Sequence, residues 1–126
     1  MSTAYPTVIT VESEPRLADA VRAANPPAWV HVVTGDALAQ LPGLGEFDLV
    51  FADAVAGKWH GLDVTLNALT PGGILVVDDM QLDHYEEPEH RRTVAAVRET
   101  LAADPRLVVA DFVDTTGVML ATRRSA

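Results

Sequence analysis

The chain has 126 residues, 48% of them apolar and 21% charged, which suits one soluble domain with one hydrophobic core and excludes a disordered or fibrous protein. With 18 acidic against 9 basic residues, the net charge of −9 repels polyanions and argues against nucleic acid as a partner. Cysteine is absent, so disulfides, thiolate metal sites and cysteine nucleophiles are excluded, and a reducing cytoplasm is the expected compartment.

Met1 to Thr10 has neither the basic start nor the long apolar core of a signal peptide, and no segment reaches the ~18 apolar residues of a membrane span. No membrane partner is expected. Val8 to Val11 is a short β-branched run that predicts a strand. Glu12-Ser13-Glu14-Pro15 follows as a helix start, with acids and a proline in the first turn. Leu17, Val21 and Ala24 share one face of that helix, and Asn25-Pro26-Pro27 stops it before a second strand, Trp29 to Val33.

Gly35-Asp36-Ala37 turns into a brief helical stretch around Leu38 to Leu41, and Pro42-Gly43-Leu44-Gly45 reads as loop. Leu49-Val50-Phe51-Ala52 is apolar throughout, as expected for a parallel strand covered on both faces. His60 to Leu69 predicts a short helix, Thr70-Pro71-Gly72-Gly73 a tight turn, and Ile74-Leu75-Val76-Val77 a fourth strand ending in Asp78-Asp79. A helix from Pro88 to about Ala103 buries Val94, Val97 and Leu101. Leu107 to Phe112 and Val118 to Ala121 close the chain as an antiparallel pair. This alternation predicts a three-layer α/β sandwich with a mostly parallel sheet.

Glu12, Asp36, Asp53 and the pair Asp78-Asp79 each follow an apolar strand. Such a fold gathers five carboxylates at the carboxyl edge, where open α/β sheets bind ligands. Taken singly, Asp36 and Asp53 read equally well as caps of the helices after them.

The stretch from Val8 to Met80 resembles class I S-adenosylmethionine-dependent methyltransferases of the O-methyltransferase type. The likeness lies in Ile9-Thr10-Val11-Glu12, in Gly35-Asp36-Ala37, in Phe47-Asp48-Leu49-Val50-Phe51-Ala52-Asp53-Ala54, and in Leu69-Thr70-Pro71-Gly72-Gly73 running into Ile74-Leu75-Val76-Val77-Asp78-Asp79. It implies a Rossmann-like fold and methyl transfer to an oxygen of a small-molecule acceptor. By the same resemblance Glu12, with Ser13 beside it, accepts the ribose hydroxyls. Asp36, in its Gly35-Asp36-Ala37 turn, takes the adenine amino group while the Ala37 backbone meets a ring nitrogen, and Asp53 lies beside the methionine part or a metal.

Asp53, Asp78 and Asp79 form a candidate set for a hard cation such as Mg²⁺, although metal-dependent relatives place Asp-Asn where this chain has Asp78-Asp79. Lys58 is the candidate general base, provided its pKa is lowered, against the alternative of a solvated loop lysine. Gly57-Lys58-Trp59-His60-Gly61 is similar to a substrate-side loop of one methyltransferase subgroup. It nominates Trp59 as a wall of the acceptor pocket, against simple packing on the next helix. The same subgroup nominates His84 or His90 as facing the substrate.

A complete domain of this family begins with a strand and a glycine-rich turn, and nothing before Val8 supplies either. Residues 1–126 are therefore expected to be one N-terminally incomplete domain lacking the first family strand. The gap is then closed by pairing the Val8 and Leu49 strands directly, or by a segment of another chain. Exposed edge strands predict a homo-oligomer. Two alternatives stand beside the enzyme. One is a non-catalytic relative that binds a nucleoside or a protein. The other is a receiver-type phosphoacceptor, with Glu12 and Glu14 as its acidic cluster and Asp53 as acceptor. A receiver needs Ser or Thr ending the next strand and Lys ending the one after, and Val77-Asp78-Asp79 and Asp111-Phe112-Val113 offer neither.

Overall fold

A computed structural model describes residues 6–125. Residues 1–5, half of the stretch read for a signal peptide, lie outside the described residues. Among the described residues no helix is long and apolar enough to cross a membrane. The chain divides into two compact units, residues 1–40 and residues 41–126.

The first unit is a β-α-β element. Strand β1 (Val8–Glu12) and strand β2 (Val30–Thr34) pair in parallel, in register from Val8 opposite Val30 to Glu12 opposite Thr34. Helix α1 (Pro15–Ala23) connects them, with the expected proline in its first turn. It ends where Asn25 takes a left-handed φ of 56°, after which Pro26 and Pro27 cannot continue it. The expected buried stripe is not found. Leu17 and Val21 are 50% and 40% exposed, Ala24 is exposed as well, and Ala18 is the residue fully buried. The reason is geometric: Ala18 and Arg22 lie one turn apart on the same helix face, and Arg22 reaches the Val32 carbonyl and the Thr34 hydroxyl of β2. That rotation turns Leu17 and Val21 away from the strands.

Helix α2 (Ala37–Leu44) runs through Pro42 and Gly43, which the sequence reads as loop. Pro42 sits in its last turn, where only the bond to the Leu38 carbonyl is forfeited.

The second unit is a four-stranded sheet in the order β3-β4-β6-β5. Strands β3 (Phe47–Phe51) and β4 (Leu69–Val77) are parallel, while β6 (Val118–Arg123) is antiparallel to β4 and to β5 (Leu107–Phe112). The expected Pro-Gly-Gly turn is absorbed into β4. Phe47 pairs with Leu69 but Leu49 pairs with Ile74, so Thr70 to Gly73 bulge out within a strand that resumes its pairing. Helix α3 (Leu62–Asn67) is shorter than expected at both ends, because Ala56 to His60 form a tight turn of their own and Leu69 already belongs to β4. Helix α4 (Pro88–Ala103) matches its expected limits and buries Val94, Val97 and Leu101.

The core of this unit lies on one sheet face, where Leu75, Val77, Met119, Ala121 and Leu107 meet α3 and α4 residues such as Leu66, Val94 and Leu101. On the other face Leu49 and Phe51 of one edge strand are 62% and 60% exposed, and Val108 and Phe112 of the opposite edge strand are exposed as well. The continuous apolar run of β3 therefore does not mark a strand covered on both sides. Direct pairing of the Val8 and Leu49 strands is not made either: among the described residues β1 pairs with β2, and β3 with β4.

Candidate functional site

In residues 1–40 the nominated groups cluster at the carboxyl ends of two paired strands. The Gly35 N–H donates to the Glu12 carbonyl (2.9 Å), so the turn after β2 is tied to the last residue of β1. The Glu12 carboxylate is half-buried and its Oε1 accepts from the Glu14 N–H (3.1 Å). Ser13 is exposed in the turn between them. Asp36 is exposed and its Oδ2 accepts from the Ala39 N–H (3.1 Å), which makes it the N-cap of α2, with Ala37 as the first helical residue. Each carboxylate keeps one oxygen with no partner among the described residues, and two fixed acceptors of this kind suit the hydroxyls and amino group of a nucleoside.

In residues 41–126 the arrangement is tertiary. Asp53 is exposed after β3 and caps no helix, since Gly61 holds the N-cap position of α3. The loop between them turns tightly at Gly57, whose φ is 93° and whose carbonyl accepts from the buried Thr65 hydroxyl (2.7 Å). A Cβ at Gly57 would lie 2.9 Å from that hydroxyl oxygen. This turn carries Lys58 inward: it is only 2% exposed, its Nζ donates to the Asp78 carbonyl (2.6 Å), and Nζ lies 4.2 Å from the centre of the Trp59 ring. A solvated loop lysine is thereby ruled out. Burial lowers the Lys58 pKa below the ordinary lysine range, while the charges of Asp79, Asp53 and Asp78 pull it back up.

Three successive carbonyls after β4 are each held by a side chain from elsewhere. Lys58 holds that of Asp78, the Tyr85 hydroxyl that of Asp79 (2.7 Å), and Arg98 of α4 that of Met80 (2.9 Å). Asp79 sits there at a φ of 60°, a costly conformation that such clamping sustains. The Asp78 Oδ1 accepts from the Thr116 hydroxyl (2.6 Å) and from the Asp79 N–H (2.7 Å). Those two bonds, Thr116 first, hold the Asp78 carboxyl below the usual carboxylate range. Tyr85 is pushed above the usual phenol range, first by burial and then by Asp79 and Asp78.

The His90 ring lies 4.4 Å from that of Tyr85, tilted by 56°, and meets Trp59 edge-on at 5.6 Å, so Trp59 and His90 are brought together. His84 is exposed at the end of a short 3-10 turn (Leu82–His84) and does not join them. Tyr85, Arg98 and Thr116 escape a reading of the sequence, because no local spacing links them to Asp78-Asp79.

The residues do not fit a divalent metal. Among the described residues no group of three or more His, Asp or Glu side chains is spaced to hold one. The expected set of Asp53, Asp78 and Asp79 is not assembled, and the Asp78 Oδ1 is already committed to the Thr116 hydroxyl and the Asp79 N–H. Two cavities of about 370 and 390 Å³ lie elsewhere, one lined by Pro71, Arg106 and Arg123 and the other by Leu82, Arg91 and Ala95.

Parallel strand pairs connected through helices, with carboxylates just past their carboxyl ends, define a Rossmann-like α/β protein. The sequence model described as a methyltransferase domain matches residues 2–80, and the chain belongs to that family. No curated protein matches it significantly in sequence.

Among solved structures the chain is similar to the O-methyltransferase from Bacillus cereus in complex with SAH, with 23% identity, a TM-score of 0.78, and coverage of 94% of this chain and 63% of that one. It is similar to cofactor-bound Rv0187 from MTB at 25% identity and a TM-score of 0.78, covering 95% and 62%. It is also similar to the O-methyltransferase TomG from Streptomyces achromogenes, involved in tomaymycin synthesis and solved with SAM, at 24% identity and a TM-score of 0.72, covering 94% and 62%. The chain thus spans under two thirds of each of these proteins. The family match also sets aside the receiver resemblance.

Proposed function

We propose that the chain takes part in S-adenosylmethionine-dependent methyl transfer to an oxygen of a small-molecule acceptor, with residues 1–126 acting as parts of one methyltransferase domain. The observation that carries this reading is the pair Glu12 and Asp36. Glu12 ends one strand of a parallel pair, Asp36 lies two residues past the end of the other, and each keeps an acceptor oxygen without a partner among the described residues. That three similar structures are cofactor-bound or complexed with SAH or SAM supports the same reading.

S-adenosylmethionine, when bound, supplies a methyl group on a sulfonium sulfur. In this reading Glu12, with Ser13, takes the ribose, and Asp36 takes the adenine amino group while Gly35 and Ala37 shape the turn around the ring. Asp53, exposed after β3, receives the acceptor's proton. Lys58 acts through its charge, favouring negative charge on the attacking oxygen. Trp59 and His90 offer ring surface to the acceptor. The exposed Leu49 and Phe51 support self-association, and a monomer by light scattering removes that part.

Calorimetry of the chain with S-adenosylhomocysteine tests the reading. Micromolar binding that weakens about tenfold or more in Glu12→Ala is the expected result, as for loss of a charge-assisted hydrogen bond. Absence of heat from a folded sample overturns it. A non-catalytic, nucleoside-binding relative is the second reading, since the Glu12 and Asp36 acceptors suit a nucleoside whether or not a methyl group is transferred. Binding without methyl transfer to any of a panel of hydroxylated acceptors would select it.

A further inference from the structure

We propose that residues 41–126 carry a second binding site, an arginine-lined cavity at the amino end of β4 that takes the phosphate group of a small organic molecule. The inference stands apart from the methyltransferase reading and uses none of its residues.

The cavity measures about 370 Å³ and is lined by Pro71, Pro105, Arg106, Arg123, Arg124 and Ser125, a size that suits a small ligand. Strand topology creates it. Strand β6 runs antiparallel to both β4 and β5, so its last residues arrive where those two strands begin, the length of β4 away from Asp78 and Asp79. The Thr70 to Gly73 bulge supplies one wall. Gly72 has a φ of 84° there, and a Cβ on it would lie 3.8 Å from the Ser125 hydroxyl oxygen.

Charge singles this cavity out. The chain has 9 basic residues against 18 acidic ones, yet three arginines line one concavity. Arg106 pairs with Asp104 at 2.8 Å, whereas Arg123 and Arg124 meet no carboxylate among the described residues. Arg123 donates from Nη1 to the Leu69 carbonyl, and the Arg124 Nε donates to the Pro105 carbonyl (3.0 Å). The main-chain N–H of Arg124 donates to the Arg106 carbonyl (2.7 Å), which ties those two residues together. A carbonyl holds a guanidinium in place but leaves its charge uncompensated, and each fork retains further N–H donors. Two such positioned guanidinium groups match the roughly −1.5 to −2 charge of a phosphate monoester, and their planar forks suit its oxygens. Pro71 and Pro105 offer apolar surface to the organic part.

The test is calorimetry of the intact chain with pyrophosphate, at a fixed ionic strength of about 0.15 M so that unspecific attraction is screened. Wild type is expected to bind one pyrophosphate with a Kd in the millimolar range or tighter. Arg124→Gln, at an exposed position, is expected to weaken it about tenfold, as for loss of a hydrogen bond to a charged group. Arg16→Gln, on the exposed surface of α1, is expected to leave it unchanged. The proposal is overturned if wild type shows no saturation by about 10 mM. It is also overturned if Arg124→Gln binds as wild type does, or if Arg16→Gln loses as much as Arg124→Gln, which would reduce the effect to overall charge. Arg123→Gln is the second variant and, if folded, is expected to match Arg124→Gln; wild-type affinity in folded Arg123→Gln overturns the proposal as well.

Discussion

The two units hold their carboxylates by different means. In residues 1–40, Glu12 and Asp36 accept from backbone N–H groups two and three residues further along the chain. In residues 41–126, the Asp78-Asp79-Met80 segment is held by Lys58, Tyr85, Arg98 and Thr116, which come from 6 to 38 residues away. The hydrophobic cores differ in the same way. Among the described residues Ala18 is the fully buried apolar residue of the first unit, while the second buries a cluster that includes Leu69, Leu75, Met80 and Leu101. Local hydrogen bonds can preserve a turn's shape without a deep core, whereas a segment gripped by distant side chains depends on the whole unit staying folded.

Substitution in the cores gives the largest expected contrast. Leu75→Ala, at a fully buried position, is expected to destabilise by about 2–5 kcal/mol in urea unfolding. Leu17→Ser, on the exposed side of α1, should stay within ~0.5 kcal/mol. Equal effects would break the comparison. Gly117→Ala comes next. Gly117 has a φ of 79°, and a Cβ there would lie 2.5 Å from the Gln81 nitrogen, so backbone strain of about 1–3 kcal/mol is joined by displacement of the Asp78–Gln81 segment. A crystal structure of the variant with that segment unmoved would show that the clamp does not depend on the β5–β6 turn.

Tyr85→Phe removes the hydroxyl that holds the Asp79 carbonyl. The expected cost is about 1–2 kcal/mol, most of it from leaving the carbonyl without its donor. Asp36→Ala removes the α2 cap and should cost ~1 kcal/mol. Its effect should remain local, with amide hydrogen exchange rising in α2 and not around Asp79. If both variants loosen both segments, the distinction between local and distant support fails.

The same contrast explains what the sequence made legible. Strands β1, β3, β5 and β6 and helix α4 are carried by apolar runs and by Pro88, signals that act within a few residues, and they fall near their expected limits. The burial of α1 is not legible, because Arg22 reaching β2 sets its rotation and the spacing of Leu17 and Val21 cannot reveal that. The exposure of Leu49 and Phe51 is hidden too, since an apolar strand reads alike whether one face or both are covered. At the candidate site, Asp36 as a cap follows from the Gly35-Asp36-Ala37 turn. The enclosure of Lys58 does not follow from Gly57-Lys58-Trp59, because it rests on meeting a carbonyl 20 residues away. The Mg²⁺ expectation is left without support for the same reason: three carboxylates can be counted in a sequence, but whether they converge on one point is decided by tertiary structure, and among the described residues they do not form such a group.

The smallest expected effect is the most diagnostic of distant support, and it concerns pH. The Thr116 hydroxyl is the main cause of the lowered Asp78 pKa, followed by the Asp79 N–H. A carboxyl whose folded-state pKa lies below its unfolded value stabilises the fold at every pH above the unfolded value, and that contribution fades as pH falls through the folded one. Thr116→Val keeps the side-chain shape and removes the donor. It should therefore be less stable than wild type at neutral pH, with the difference between the two shrinking on acidification below the carboxylate range. Urea midpoints compared at neutral and strongly acidic pH read this directly. A difference that does not change with pH would mean that the Thr116 contribution is packing and not its bond to Asp78, and the clamp would then reduce to the three side chains on the carbonyls.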